Sequence, residues 1–286
     1  GFLFGVYLLQ NIFVFDQFTT YMSLFAFFAY MQGMMGGEQK AVSPKNAEAS
    51  ASDAAVKAGA AVLLAVLLVS VQYAVNYKPL RANLALLGAF RERNIEGLPR
   101  VFAAYQKALA YHSLGDYEIR EQLAQFSISL FGAEGADLEL KQKVFDYVID
   151  QLKQSQKENT LDPRPPLFLG AVYSRAGLFN EAKESFNRAL TLSPRKQQIY
   201  FEAADVYIKE KDYAKAEELL EKAFRFDERF NEARVNLVAV YILNGKQEQG
   251  DALLIEKFGK ANIAFPVLAQ VYALRKDYPR LLEIWK

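Results

Sequence analysis

Residues 167–200 read LFLGAVYSRAGLFNEAKESFNRALTLSPRKQQIY, and residues 201–234 read FEAADVYIKEKDYAKAEELLEKAFRFDERFNEAR. Laid one under the other at a shift of 34, the strings bring Tyr173 over Tyr207, and the copy that follows adds Tyr241. Gly170 falls over Ala204, Ala182 over Ala216 and then Gly250, Ala189 over Ala223, and Gly177 returns as Gly245. Recurring small residues mark where two helices approach closely, and recurring large ones fill the gaps between successive pairs. A period of 34 therefore predicts an all-α fold of antiparallel helix hairpins stacked into a solenoid.

The first copy resembles the tetratricopeptide repeat (TPR), whose L-G-x2-Y, A-x3-F and closing Pro stand here as Leu169, Gly170, Tyr173, Ala182, Phe186, Ala189 and Pro194. The second copy keeps Tyr200, Tyr207, Ala216, Leu220 and Ala223, with Glu228 where the closing Pro would be. A third retains Leu237, Tyr241, Gly245 and Leu254 but loses the alanines. Leu268, Ala269, Tyr272, Leu281 and Trp285 look like a fourth, so an array over residues 163–286, truncated at Lys286, is expected. The resemblance implies a concave groove lined by the first helix of each hairpin. Carried over by repeat position, it holds Ser174, Arg175, Asp205, Ile208, Lys209, Ile242 and Leu243, and a protein or peptide partner. The competing reading is an array used only as a spacer, with Arg175 and Lys209 as ordinary solvated charges.

Upstream, residues 78–162 predict a helical bridge with a divergent repeat marked by Tyr105 and Ala108. Ile119, Leu123, Phe126 and Leu130 give one amphipathic helix, and Leu140, Val144, Tyr147, Val148 and Leu152 another. The run Asp162-Pro163-Arg164-Pro165-Pro166 predicts a short stiff joint where domain motion hinges.

Charge divides the chain. Residues 1–77 carry only Asp16, Glu38, Lys40, Lys45, Glu48, Asp53 and Lys57, and two long runs without charge, 17–37 and 58–77, are each long enough to cross a bilayer. The expected layout is the end of a membrane-helix bundle of about two spans over 1–34, a flexible loop over 35–56, and a last transmembrane helix over 57–77. Asp16 is expected at the membrane interface, beside Phe13, Phe15 and Phe18. The chain opens on Gly1 rather than Met, so a start further upstream is expected.

The net charge of +1 is unclustered and points away from nucleic acid. Cysteine is absent, which removes disulfides, thiolate metal sites and a cysteine nucleophile. The single histidine, His112, reads as a surface residue in a turn, and no phosphate loop, G-x-S-x-G or H-E-x-x-H pattern occurs. No catalytic, cofactor-binding or metal-binding residue is assigned.

The stretch LLQNIFVFDQFTTYMSLFAFFAYMQG resembles the last pair of membrane helices of the bacterial O-antigen ligase and polymerase family, with Gln10 and Asn11 before the turn Phe13–Asp16. That family includes members with a further span followed by TPRs, the order seen here. Gln10 departs from the pattern, since many relatives have His before that Asn. The resemblance implies the carboxy-terminal membrane anchor and interaction region of a polytopic protein. That protein would lie in the bacterial cytoplasmic membrane and handle lipid-linked glycans in cell-envelope polysaccharide assembly. It also places the repeats outside the cytoplasm, whereas the cations after residue 77 favour the cytoplasmic side. The alternative is a non-enzymatic, membrane-tethered TPR scaffold, whose partners are a bilayer and a protein.

Overall fold

The computed structural model describes residues 25–27, 29–30, 47–91 and 97–284, all within an α-helical architecture. The chain divides into two compact units, one of residues 1–93 and 103–116, the other of 94–102 and 117–286. Most of the spans expected over 1–34, including Gln10, Asn11 and Phe13–Asp16, lie outside the described residues, as does Trp285.

In the first unit, α1 (Ala47–Gln72) continues through a single π-helical turn (Tyr73–Tyr77) into α2 (Lys78–Arg91). Two expectations are corrected. Of the loop expected over 35–56, the described part, residues 47–56, is helical, in keeping with its Ala-rich sequence AEASASDAAV. The helix expected to end at Tyr77 runs on to Arg91. Pro79 brings no N–H and crowds the preceding turn, and the wide turn just ahead of it, closed by Lys78 N–H on the Tyr73 carbonyl, absorbs that defect. Among the described residues one helix, Ala58–Leu87, is long and apolar enough to cross a membrane, and none of its most apolar window is buried. In α2, Ala82 and Leu86 are buried, and Arg81 donates to the Tyr111 hydroxyl. The chain then passes along α3 (Leu98–Leu109). His112 lies exposed in the turn that follows, with a φ of 47°.

The second unit begins with α4 (Asp116–Gly132) and α5 (Leu138–Glu158). The buried Arg120 guanidinium ties these two together through Glu158 and Gln151. Four hairpins follow: α6 (Arg164–Arg175) with α7 (Phe179–Leu192), α8 (Gln197–Lys209) with α9 (Tyr213–Phe226), α10 (Asn231–Leu243) with α11 (Gln247–Phe258), and α12 (Pro266–Leu274) with α13 (Tyr278–Glu283). The expected joint at 162–166 is instead the start of α6. The Asp162 carboxylate accepts from Arg164 N–H at 2.9 Å, and Pro165 and Pro166 occupy the first turn, where missing N–H groups cost nothing. Both prolines are buried, Arg164 also pairs with Glu121 on α4, and the Phe145 ring of α5 meets Tyr173 of α6 edge-on at 6.1 Å. Those contacts fix the segment, so no hinge is assigned to it.

Each hairpin is closed by the same backbone device. Leu178, Asp212, Lys246 and Asp277 donate their N–H to the carbonyls of Tyr173, Tyr207, Tyr241 and Tyr272, at 2.8 to 2.9 Å. The residue before each donor is left-handed: Gly177, Lys211, Gly245 and Lys276, with φ of 79°, 63°, 80° and 58°. A lysine there costs about 1 kcal/mol more than glycine. Where lysine stands, the next residue is Asp212 or Asp277, whose carboxylate caps the following helix by accepting from Lys215 or Arg280 N–H, at 3.1 and 3.3 Å. A cap contributes about 1 kcal/mol, enough to offset the lysine. Where glycine stands, Leu178 and Lys246 follow without a side-chain cap.

The interior of each hairpin is a trade of volume at equivalent positions. In the first, a Cβ on Gly170 would lie 2.6 Å from the Phe186 ring. In the second, Ala204 faces Ala216 and Leu220 in one buried cluster. In the third the order reverses, with Val238 and Leu254 in the core and Gly250 so close that its added Cβ would stand 3.3 Å from Val238 Cγ1. The third copy therefore loses the alanines without losing the close approach. Gly170→Ala should destabilise the array by about 2 kcal/mol through overpacking. Combined with Phe186→Leu, which recreates the Ala204–Leu220 pairing, the loss should be smaller than the sum of the single losses by about 1 kcal/mol. Urea unfolding of the two single variants and the double variant checks this, and simple additivity would refute the volume trade.

Candidate peptide-binding groove

A hollow of about 430 Å³ runs across α4 and across α6 and α8, the first helices of two successive hairpins. Its apolar side is Ile128 from α4 with Leu167, Phe168 and Ala171 from α6. Its polar side is Glu202, Asp205 and Lys209 from α8, joined by Ser174 and Arg175 at the end of α6. The spacing explains the gathering. Residues 168, 171 and 175 on α6, and 198, 202, 205 and 209 on α8, recur at steps of four and three, so each set lies on one face of its helix.

Within the hollow, Lys209 Nζ lies 2.7 Å from Asp205 Oδ2 and donates to Ser174 Oγ at 2.9 Å, which links neighbouring hairpins along their concave edge. Arg175 is exposed. Burial, and next the Asp205 carboxylate, push the Glu202 carboxyl above its ordinary value, against the pull of Lys209 and Arg175.

Four of the expected groove residues, Ser174, Arg175, Asp205 and Lys209, therefore come together, while the other three sit elsewhere. Ile208 packs, half-buried, on the cluster of Ala204, Ala216 and Leu220. Ile242 is fully buried with Val238 and Leu254, and Leu243 rests against the same cluster. The carbonyls of Ile242 and Leu243 both accept from Arg275 Nη1, at 2.7 and 3.2 Å. Ile208 and Ile242 share the buried repeat position of Ser174, where a hydroxyl turns to Lys209 but an aliphatic side chain joins the core. Leu243 shares the position of Arg175 and Lys209 and, being apolar, rests on the core instead. Glu202 and Phe168 were missed, although the steps of four and three would have found them.

Two larger hollows lie between successive second helices. One of about 770 Å³ is lined by Leu169, Tyr173 and Arg188, and one of about 550 Å³ by the residues two repeats on, Leu237, Tyr241 and Glu256. Their recurrence at equivalent positions shows that they are gaps of the stacking. In the second, polar groups satisfy one another: Glu217 accepts from Asn244 and Lys246, and Tyr241 donates to Glu221 at 3.0 Å. Burial, helped by that bond, pushes the Tyr241 hydroxyl up to about 12. Among the described residues no three His, Cys, Asp or Glu side chains are placed to hold a metal ion.

Stacked hairpins of this period, with a shared inner face, define a TPR-type α-solenoid, a scaffold for protein interaction. The profile of the tetratricopeptide repeat family matches residues 173–229. Anaphase-promoting complex subunit 3 of Schizosaccharomyces pombe is 23% identical over 213 residues, which is 70% of this chain and 31% of that protein. The chain thus spans about a third of the length of that curated relative. A tetratricopeptide repeat protein from Parabacteroides merdae superposes with a TM-score of 0.49 at 14% identity, covering 71% of this chain and 77% of the other. The MamA protein superposes at 0.43 with 17% identity, covering 69% and 95%.

Glu202→Gln should raise the melting temperature at neutral pH. A carboxyl whose folded pKa lies above its unfolded one is favoured in the folded state as the neutral acid, so stability falls as pH rises through its titration. The gain should vanish below the ordinary glutamate range, where the wild-type side chain is neutral in both states. Thermal melts from pH 3 to pH 8 check this, and a gain independent of pH would contradict it.

Proposed function

We propose that this chain is a protein-interaction scaffold whose concave hollow receives a peptide or helical segment of a partner protein. The observation that carries the reading is the hollow itself: an apolar side of Leu167, Phe168 and Ala171 faces charged groups from the next helix, on the face that successive first helices share. A partner side chain can be desolvated against the first while Arg175, Glu202, Asp205 and Lys209 fix its orientation and register. The test compares recovery of partners from the source cell by the wild-type chain, by Arg175→Glu/Lys209→Glu in the hollow, and by Lys153→Glu/Arg188→Glu on the opposite face. The first pair should lower recovery of specific partners by at least roughly tenfold, the second by little. The reverse ranking would sink the reading.

A narrower reading makes this the tail of a polytopic O-antigen ligase-like protein of the bacterial cytoplasmic membrane. The repeats would lie on its outer side, and lipid-linked glycan would be handled by the part upstream. Its support is the resemblance of residues 1–34 and the order of membrane helix and repeats in the sequence. It is tested by paired reporters fused after Lys286, one active only outside the cytoplasm and one only inside. Activity of the inside reporter alone would exclude that topology and leave a scaffold for cytoplasmic partners.

A further inference from the structure

The helix of the first unit is apolar on all its sides over a defined length. From Ala58 to Tyr77 there is no charged side chain, and Lys57 and Lys78 bracket the run. At 1.5 Å per residue, twenty residues reach about 30 Å, the thickness of bilayer hydrocarbon. Leu63, Leu64, Ala65, Val66, Leu67 and Val69 are all exposed, and at about 100° per residue they point around most of the helix circumference. A single groove or a second copy of the chain covers one side of such a helix, whereas lipid or a large protein core covers every side, and within this chain none of its most apolar window is buried.

The carboxy-terminal end of this run is built differently. Ser70 Oγ donates to the Val66 carbonyl at 2.8 Å, and Asn76 Nδ2 donates to Gln72 Oε1, so these polar groups find partners within the helix. Tyr73 and Tyr77 stack at 5.3 Å across the π-turn, and Lys78 Nζ stands 5.9 Å from the Tyr73 ring. Aromatic rings with a polar tip beside a cation suit the level of lipid headgroups. Beyond the turn the helix becomes two-sided, with Ala82 and Leu86 buried and Arg81 held by Tyr111.

We infer that the edge of a lipid bilayer lies at the π-turn Tyr73–Tyr77, with the run from Ala58 to the turn in hydrocarbon and α2 outside it. This rests on the membrane-tethered reading and adds the boundary to it. The wide turn places Pro79 just beyond the hydrocarbon, where water can satisfy the carbonyl that the proline leaves without a donor.

The absence of cysteine makes the test direct. Full-length single-cysteine variants Leu63→Cys, Leu67→Cys and Leu84→Cys are placed in phosphatidylcholine/phosphatidylglycerol vesicles, opened so that both faces are reached, and treated with a membrane-impermeant maleimide. Relative to the detergent-denatured chain, positions 63 and 67 should label at least roughly tenfold more slowly and position 84 at a nearly unchanged rate. Flotation with the vesicles but with position 84 also protected, or with position 67 open, would leave the tether standing and overturn the boundary. Failure to float, with all three positions equally open, would remove the tether and the boundary together.

Discussion

Two helices of a hairpin approach only as closely as the bulk between them permits, and the solenoid depends on that distance. At Gly170 there is no room for even a methyl group beside Phe186, whereas at Gly250 the room has been taken by Val238 from the facing helix. Because the sum of the two volumes is held while its division changes, successive hairpins keep one geometry and present one continuous inner face. The hollow across α4, α6 and α8 exists because that face is continuous.

The turns obey a parallel rule. The tyrosine that announces the period contributes its backbone carbonyl to closing the hairpin. What varies is how the left-handed position is tolerated, by glycine directly or by lysine together with an aspartate cap. Pairs such as Lys211–Asp212 and Gly245–Lys246 are thus two chemical routes to one backbone path.

Much of this was legible in the sequence. The period exposed the hairpins because Tyr173, Tyr207 and Tyr241 share a backbone role that permits no drift, and the small residues beside them share a steric one. The groove was legible where a helix face decides the matter, as at Arg175, Asp205 and Lys209. It failed at Ile242, because the repeat position that it shares with Ser174 is a buried one. Glu202 is signalled only by the steps of four and three along α8, since its repeat position in the first copy holds the apolar Phe168. In the first unit composition exposed an apolar helix, but residues 47–56, read as loop, are helical, and the helix runs past Pro79, which marks a wide turn that it survives.

The volume trade also sets the grain at which such a chain is able to change by duplication or exchange. A helix carrying Val238 cannot be set against one carrying Phe186 without crowding, nor one carrying Gly170 against Gly250 without leaving a void. A single helix is therefore not a transferable part. The smallest piece that moves between positions and still packs is the hairpin together with its turn, so lengthening or recombination of this array proceeds in whole hairpins.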